Sequence, residues 1–120
     1  MKYAVHAYAW TSSWSNADLD LIDHAASFGL DAFEIPLMEL DAVDPAAIRE
    51  RAASAGLELV TSVVCSEDAD PSSDDARVRE RGAEFLVRCA DATADMGATV
   101  FSGVIYSSIG RRLDRRPEPA

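Results

Sequence analysis

Residues 55–64 read AGLELVTSVV, in which a glycine ends a helix-like segment and leads directly into a run of β-branched and apolar residues. The same order recurs in FGLDAFEIP, residues 28–36, and in MGATVFSGVIY, residues 96–106. A glycine just past the last helical residue adopts the left-handed conformation without steric cost, and the run after it suits a buried strand. Each stretch therefore predicts a joint between a helix and a strand.

These joints fix the order of elements along the chain. With the run from Tyr3 to Tyr8 as a first strand, strands alternate with helices, which indicates a parallel sheet covered by helices and the α/β class. A closed (β/α)8 barrel needs about 250 residues, and an open doubly wound sheet usually has about five or more strands. Residues 1–110 therefore provide part of either architecture.

Helix starts agree with this order. Ser15 followed by Asp18, and Ser72 followed by Asp75, fit an N-cap with an acidic third position, and Asp44 precedes a proline in a first turn. Apolar positions then follow at helical spacing: Leu21, Ile22, Ala25 and Phe28 in the first helix, Ile48 and Ala52 in the second, and Val78, Phe85, Leu86 and Cys89 in the third.

The net charge excludes one class of partner. Of 120 residues, 21 are acidic and 11 basic, which gives −10. Because this charge repels phosphate, we expect neither nucleic acid nor an anionic membrane as a partner. The stretch RRLDRRPEPA, residues 111–120, carries +2 and leaves −12 on residues 1–110. We interpret it as a basic, proline-containing tail or a truncated loop.

The sequence predicts neither a signal peptide, nor a membrane span, nor a disulfide framework. The opening residues 1–10, MKYAVHAYAW, contain no apolar run of signal-peptide length, and no run of about 18 apolar residues occurs elsewhere. Cys65 and Cys89 are too few for a disulfide framework and have no metal-ligand spacing, so we expect reduced thiols in the cytoplasm. Cys89 is expected in the core, and Cys65, with nothing basic beside it, to be inert.

The segment after the first strand indicates which class of ligand the chain could bind. It reads AYAWTSSWS, residues 7–15, and has no glycine that would let the backbone approach a pyrophosphate, which disfavours nucleotide binding. Tyr8, Trp10 and Trp14, beside three hydroxyl residues, suit a surface that stacks on a sugar ring. Packing of the two tryptophans beneath a loop explains the same residues equally well.

Five segments of the chain match one known family in order and without large gaps. They are YAWTSSWS (8–15), FGLDAFEI (28–35), GLELVTSV (56–63), DDARVRERGAEFLVRCADATADMGA (74–98) and TVFSGVIYS (99–107). Together they resemble the N-terminal half of the sugar phosphate isomerase/epimerase family, and within it the ketose 3-epimerases of the D-tagatose and D-psicose type. The resemblance implies the first four strands and three helices of a TIM barrel.

The resemblance also implies a chemistry. In that family one divalent ion, Mn2+, Mg2+ or Co2+, polarises the oxygens of a free ketose, and two glutamates move a proton at C3 through an enediolate. The family places the ion's ligands and both glutamates on strands after the fourth. No catalytic or metal-ligating residue is therefore assigned here, and the chain alone is expected to be inactive.

The resemblance transfers to this chain only residues that contact the sugar, which together form one wall of the substrate pocket (the substrate wall). The resemblance assigns it to His6, Trp14, Ser62 and Val104, supported from behind by Glu34, Tyr8 and Gly103. Alternation along the strands agrees, because His6 shares one face of its strand with Ala4 and Tyr8, and Ser62 shares one with Val60 and Val64.

Three positions depart from the family's pattern. His6 replaces a usual aromatic residue, Val64 stands where glycine is common, and Ile109 stands where an aromatic pocket residue is often found. The resemblance therefore does not assign a ketohexose as the sugar.

Two of the candidate residues have a second interpretation. His6 can equally be an interior histidine hydrogen-bonded to a neighbour, and as a lone histidine it is not expected to ligate a metal. Glu34 either supports the ligand from behind or forms a structural ion pair. His24, within a helix, is expected to face solvent.

Two functional alternatives accompany the epimerase hypothesis. The chain could be a non-enzymatic half-barrel that pairs with itself, as a homo-oligomer, or with a partner to close eight strands, or else an inactive fragment. Hydroxypyruvate isomerases and inosose dehydratases share the same N-terminal pattern and form the other alternative. The net charge of −12 on residues 1–110 disfavours the DNA-repair endonucleases of this superfamily, because DNA binding needs a basic groove.

Overall fold

A computed structural model describes residues 1–112, which form a parallel sheet of four strands in the order β1-β2-β3-β4. The strands are β1 (Ala4–His6), β2 (Ala32–Pro36), β3 (Glu58–Cys65) and β4 (Phe101–Ser108). The helices between them are α1 (Asp20–Ser27), α2 (Pro45–Ala55) and α3 (Ala76–Asp95), and neighbouring helices contact each other. Because each strand lies beside the previous one without a reversal, the sheet is the first half of a TIM barrel, as predicted.

The three predicted joints are confirmed. Gly29, Gly56 and Gly97 have φ of 70°, 73° and 76°, the left-handed conformation that ends each helix. The Gly56 amide closes α2 on the carbonyls of Ala52 and Ala53. The apolar run after each glycine then enters the sheet, which explains why the chain alternates between helix and strand.

The core lies between the helices and one face of the sheet. Phe33 and Ile35 of β2 are fully buried there against Ile22 of α1, Ile48 of α2 and Met96 after α3. Since side chains alternate along a strand, the residues between them face the other side of the sheet. Among residues 1–112, α1, α2 and α3 all pack on the first face, and the candidate site lies on the second.

Three predicted boundaries or positions differ from the structure. β1 ends at His6 rather than Tyr8, because the backbone turns into a 3-10 helix, Ala7–Ala9, which is capped by a hydrogen bond from the Tyr8 amide to the His6 side chain. Asp75, not Ser72, caps α3, since the amide and hydroxyl of Ser72 donate instead to Asp70. Phe28 is exposed rather than buried.

Other predicted features agree with the structure. The Ser15 and Asp18 capping box forms, although it caps the short helix Asn16–Asp18 that precedes α1. His24 is exposed. No helix within residues 1–112 is long and apolar enough to cross a membrane. Of the predicted tail, residues 113–120 lie outside the described residues.

Candidate functional site

The candidate site is a polar cluster on the face of the sheet away from the helices. His6, Glu34 and Ser62 come from three adjacent strands, and His6 pairs in register with Glu34. The His6 Nε2 atom lies 3.3 Å from Ser62 Oγ and 3.8 Å from Glu34 Oε1. The structure thus brings together two of the four predicted wall residues and the acid predicted to support them.

A backbone contact orients the imidazole of His6. The Tyr8 amide donates to His6 Nδ1 at 3.0 Å, so Nδ1 carries a lone pair and the ring proton lies on Nε2. That Nε2–H group points toward Ser62 and Glu34. The Tyr8 ring lies 4.7 Å from the His6 ring, centroid to centroid, and packs against it at an angle of 53°.

This arrangement suits binding of hydroxyl groups. His6 Nε2 offers a donor, the Ser62 hydroxyl can donate and accept, and the Glu34 carboxylate accepts. His6 and Glu34 are partly exposed, so a ligand can reach them, whereas Ser62 is nearly buried between them and β4. A polyhydroxylated ligand can therefore replace water at three convergent polar atoms.

Val104 lies on the same face of the sheet, one strand further along. It pairs in register with Val64, two residues beyond Ser62. Next to it, Gly103 has φ of 115°, and a Cβ atom there would lie 2.0 Å from the Val63 carbonyl oxygen. Only glycine lets β3 and β4 approach this closely, so Gly103 fixes where Val104 stands.

Trp14 is placed apart from this cluster. Its side chain is 4% exposed and packs on Phe33, with ring centroids 5.7 Å apart, on the helix side of the sheet. Trp10 also stacks on Phe33, at 6.3 Å. The indole Nε1 of Trp14 is buried without a hydrogen-bond partner among residues 1–112. Its assignment to the substrate wall stays a prediction.

The divalent ion implied by the resemblance does not fit this part of the chain. Within residues 1–112, no three His, Cys, Asp or Glu side chains converge closely enough to hold an ion. His6 and Glu34 supply two such groups, and the third member of their cluster is a serine, a poor ligand for Mn2+ or Co2+. No step of the reaction is therefore assigned to an ion held by residues 1–112.

Neither cysteine offers a nucleophile. Cys65 and Cys89 are both free and buried. Burial raises the pKa of both thiols, that of Cys89 to about 11, which keeps them protonated at neutral pH.

Sequence reasoning missed a second polar cluster, centred on Asp70. This carboxylate lies in the loop between β3 and α3, is 2% exposed, and accepts hydrogen bonds from Ser72, Ser108 and Arg111. It borders a cavity of about 380 Å³ beside the end of β4. Asp70 lies in an acidic, serine-rich loop where no single residue stands out, so the sequence contained no clear signal for it.

A second cavity lies away from both polar clusters. It measures about 590 Å³ and is lined by Arg49, Leu57, Met96 and Val100, at the amino ends of β3 and β4. In parallel α/β folds ligands bind at the carboxyl ends of the strands. The His6 cluster, not this cavity, is therefore the candidate site.

Comparison with known proteins identifies the family to which the sequence is similar. Residues 22–118 match the family described as xylose isomerase-like TIM barrel. The chain is 32% identical over 115 residues to a ketose 3-epimerase of Arthrobacter globiformis, covering 95% of this chain and 40% of that protein. It is 30% identical over 112 residues to an L-ribulose 3-epimerase of Methylomonas sp. (strain DH-1), covering 92% and 39%.

The solved structures agree with the sequence relatives. A D-allulose 3-epimerase from Methylomonas sp. in complex with D-allulose superposes with a TM-score of 0.86 at 29% identity, covering 93% of this chain and 39% of that one. The chain thus spans about 40% of the length of the curated relatives that it matches.

Proposed function

This chain belongs to the xylose isomerase-like TIM barrel family, and we propose that it forms the substrate-binding half of a ketose 3-epimerase. The observation that carries the proposal is the convergence of His6, Ser62 and Glu34 on the sheet face away from the helices. Similarity to a ketose 3-epimerase and an L-ribulose 3-epimerase supports a free ketose as the substrate.

The reaction assigned to the whole protein is proton exchange at C3. A base removes the C3 proton, the electron pair is held as an enediolate, and an acid returns a proton to the opposite face of C3. His6 and Ser62 are proposed to hold hydroxyl groups of the sugar, and Glu34 to accept a hydrogen bond. The proton-transfer groups and the ligands of a divalent ion, Mn2+, Mg2+ or Co2+, are assigned to later strands of a complete barrel.

A chromatographic assay tests this proposal. The protein, as its gene encodes it, is incubated with D-fructose, D-allulose, D-tagatose or L-ribulose in heavy water, with each ion and with a chelator. We expect the C3 epimer to form, with deuterium at C3. Exchange only at C1 or C2 would instead favour an aldose–ketose isomerase such as the hydroxypyruvate isomerases, and loss of water would favour an inosose dehydratase.

A pair of serine variants ties the activity to the site. Ser62→Ala removes the hydroxyl that faces His6, and we expect KM to rise about fivefold because one hydrogen bond to the sugar or to His6 is lost. Ser27→Ala on the exposed end of α1 is the matched control and should leave KM unchanged. Equal kinetics for the two variants would remove Ser62 from the substrate wall.

A second candidate function is a half-barrel interaction module. Within residues 1–112, β1 and β4 each have one edge without a neighbouring strand, and such edges pair readily with other chains. A defined dimer of the 120-residue chain, seen by light scattering, with no epimerase activity would favour this function.

The proposal also covers the cellular compartment and the binding partners. Free, buried cysteines fit a reducing cytoplasm. The acidic net charge fits a small-molecule substrate without nucleic-acid or membrane partners.

A further inference from the structure

We infer that Tyr106 is a further substrate-contacting residue. It is held over the candidate site by an excursion of β4, a short segment of the strand that has no partners in β3 and is fixed at both ends. This inference rests on the proposed function, because the ligand it contacts is the proposed ketose.

The excursion is visible in the pairing of β3 with β4. Val64 pairs with Val104, but the next residue, Cys65, pairs with Ser108. Three residues of β4, Ile105, Tyr106 and Ser107, therefore have no partner residue in β3. Extra residues of this kind bend a strand locally and re-aim its side chains, and they are common next to active sites.

The near end of the excursion is fixed by Gly103. A Cβ atom at this position would lie 2.0 Å from the Val63 carbonyl oxygen. The two backbones are thus in close contact immediately before Val104.

The far end is fixed by the Asp70 cluster. Ser108 Oγ and Arg111 Nη1 each donate to Asp70 Oδ2 at 3.0 Å. The loop that carries Asp70 lies directly on α3, since a Cβ atom on Gly82 would come within 2.7 Å of the Pro71 nitrogen. The hydrogen bond to Asp70 therefore connects Ser108 to a loop that packs on α3.

Between these two ends, Tyr106 projects away from the core. Ile105 packs against the core on the helix side, so its neighbours Val104 and Tyr106 stand on the other face, the face of the candidate site. Tyr106 is 74% exposed, and its hydroxyl makes no hydrogen bond within residues 1–112. It lies two residues nearer the carboxyl end of β4 than Val104, where ligands of barrel proteins bind.

The chemistry of the side chain suits a sugar. A tyrosine ring packs against the C–H face of a sugar, and its hydroxyl can donate to or accept from a sugar hydroxyl. A large exposed aromatic residue on a fixed backbone loses little conformational entropy on binding. Tyr106 therefore completes the His6, Ser62 and Val104 surface with an aromatic group.

Steady-state kinetics of the protein, as its gene encodes it, test the inference. We expect Tyr106→Ala to raise KM for the ketose about tenfold with kcat changed less than about threefold, because ground-state and transition-state contacts are lost equally. Tyr106→Phe should raise KM by a smaller factor, since it keeps the ring. Tyr3→Ala is the matched control: Tyr3 is 57% exposed at the opposite end of β1 and should leave KM unchanged.

The possible results separate the two claims. A wild-type protein that neither epimerises a ketose nor binds one, with binding measured by calorimetry, overturns the proposed function and this inference with it. An active wild type whose Tyr106→Ala variant keeps the wild-type KM overturns the inference alone. Because the side chain is exposed, the thermal midpoint of Tyr106→Ala should equal that of the wild type, and a KM increase at an unchanged midpoint supports the contact.

Discussion

The hydroxyl of Ser108 donates a hydrogen bond of 3.0 Å to the buried carboxylate of Asp70, 38 residues earlier in the chain. This contact joins the loop after β3 to the last residue of β4. Arg111 reaches the same carboxylate oxygen and also lies 3.8 Å from Asp74. The cluster thus combines a desolvated carboxylate with a guanidinium and two serine hydroxyls, which satisfies the buried charge.

Asp70→Asn should destabilise the protein at neutral pH by about 2 kcal/mol, because a charged acceptor of four hydrogen bonds becomes a neutral amide. The measurement is the free energy of unfolding by urea. Glu67→Gln is the matched control, since Glu67 is an exposed acid in the same loop, and its change should stay below about 0.5 kcal/mol.

The same residue predicts a pH dependence. Burial alone raises the pKa of Asp70, but hydrogen bonds from Ser72 and Ser108 outweigh it and hold the pKa well below its ordinary value. A carboxylate with a depressed pKa stabilises the fold above its ordinary pKa, and this stability is lost as the pH falls below about 4. The wild type should therefore lose stability more steeply than Asp70→Asn below that pH. Parallel curves would contradict the assignment.

Gly103→Ala should be far more destabilising than Gly29→Ala. Both glycines have positive φ, but a Cβ atom on Gly29 would meet nothing within 4 Å, whereas one on Gly103 would overlap the Val63 carbonyl oxygen. We expect about 1 kcal/mol for Gly29→Ala from backbone strain and at least about 3 kcal/mol for Gly103→Ala. Equal losses of stability in thermal unfolding would mean that β3 and β4 are not held this closely.

The fold was predictable because its signals are local. The glycines at positions 29, 56 and 97 each end a helix through their own backbone conformation, and the residues after them suit only a buried strand. Four strands in sequential order follow directly from the three joints. The end of β1 was not predictable, since a single side-chain to backbone bond, from the Tyr8 amide to His6, turns the chain.

The site was predictable only in part. Strand alternation placed His6 and Ser62 on one face of the sheet, and parallel register then brought them together with Glu34. The Asp70 cluster depends on a contact between residues 38 apart, and the excursion of β4 depends on a register shift. Neither leaves a periodic pattern in the sequence.

His6 should be the Nε2–H tautomer. The Tyr8 amide donates to Nδ1, and this leaves the proton on the nitrogen that faces Ser62. Long-range 15N–1H correlation spectra distinguish the two ring nitrogens, and the exposed His24 provides the comparison in the same sample. A protonated Nδ1 in His6 would show that the turn after β1 is arranged differently and would remove the donor from the proposed sugar site.

Thr93→Val should destabilise the protein more than Thr61→Val does. The two hydroxyls lie 2.7 Å apart in the core between α3 and β3, and Thr93 also donates to the Cys89 carbonyl. Thr61 is therefore the donor between them. In Thr93→Val the buried Thr61 hydroxyl keeps only the Val100 carbonyl at 3.3 Å, which should cost about 1 kcal/mol. In Thr61→Val the Thr93 hydroxyl keeps its bond to Cys89, and the loss of stability should be smaller.

The double variant removes both polar groups and should recover part of the lost stability, because matched apolar replacements leave no unpaired donor. Urea unfolding of the four proteins gives the coupling energy, and strictly additive losses would contradict the hydrogen bond between the two threonines.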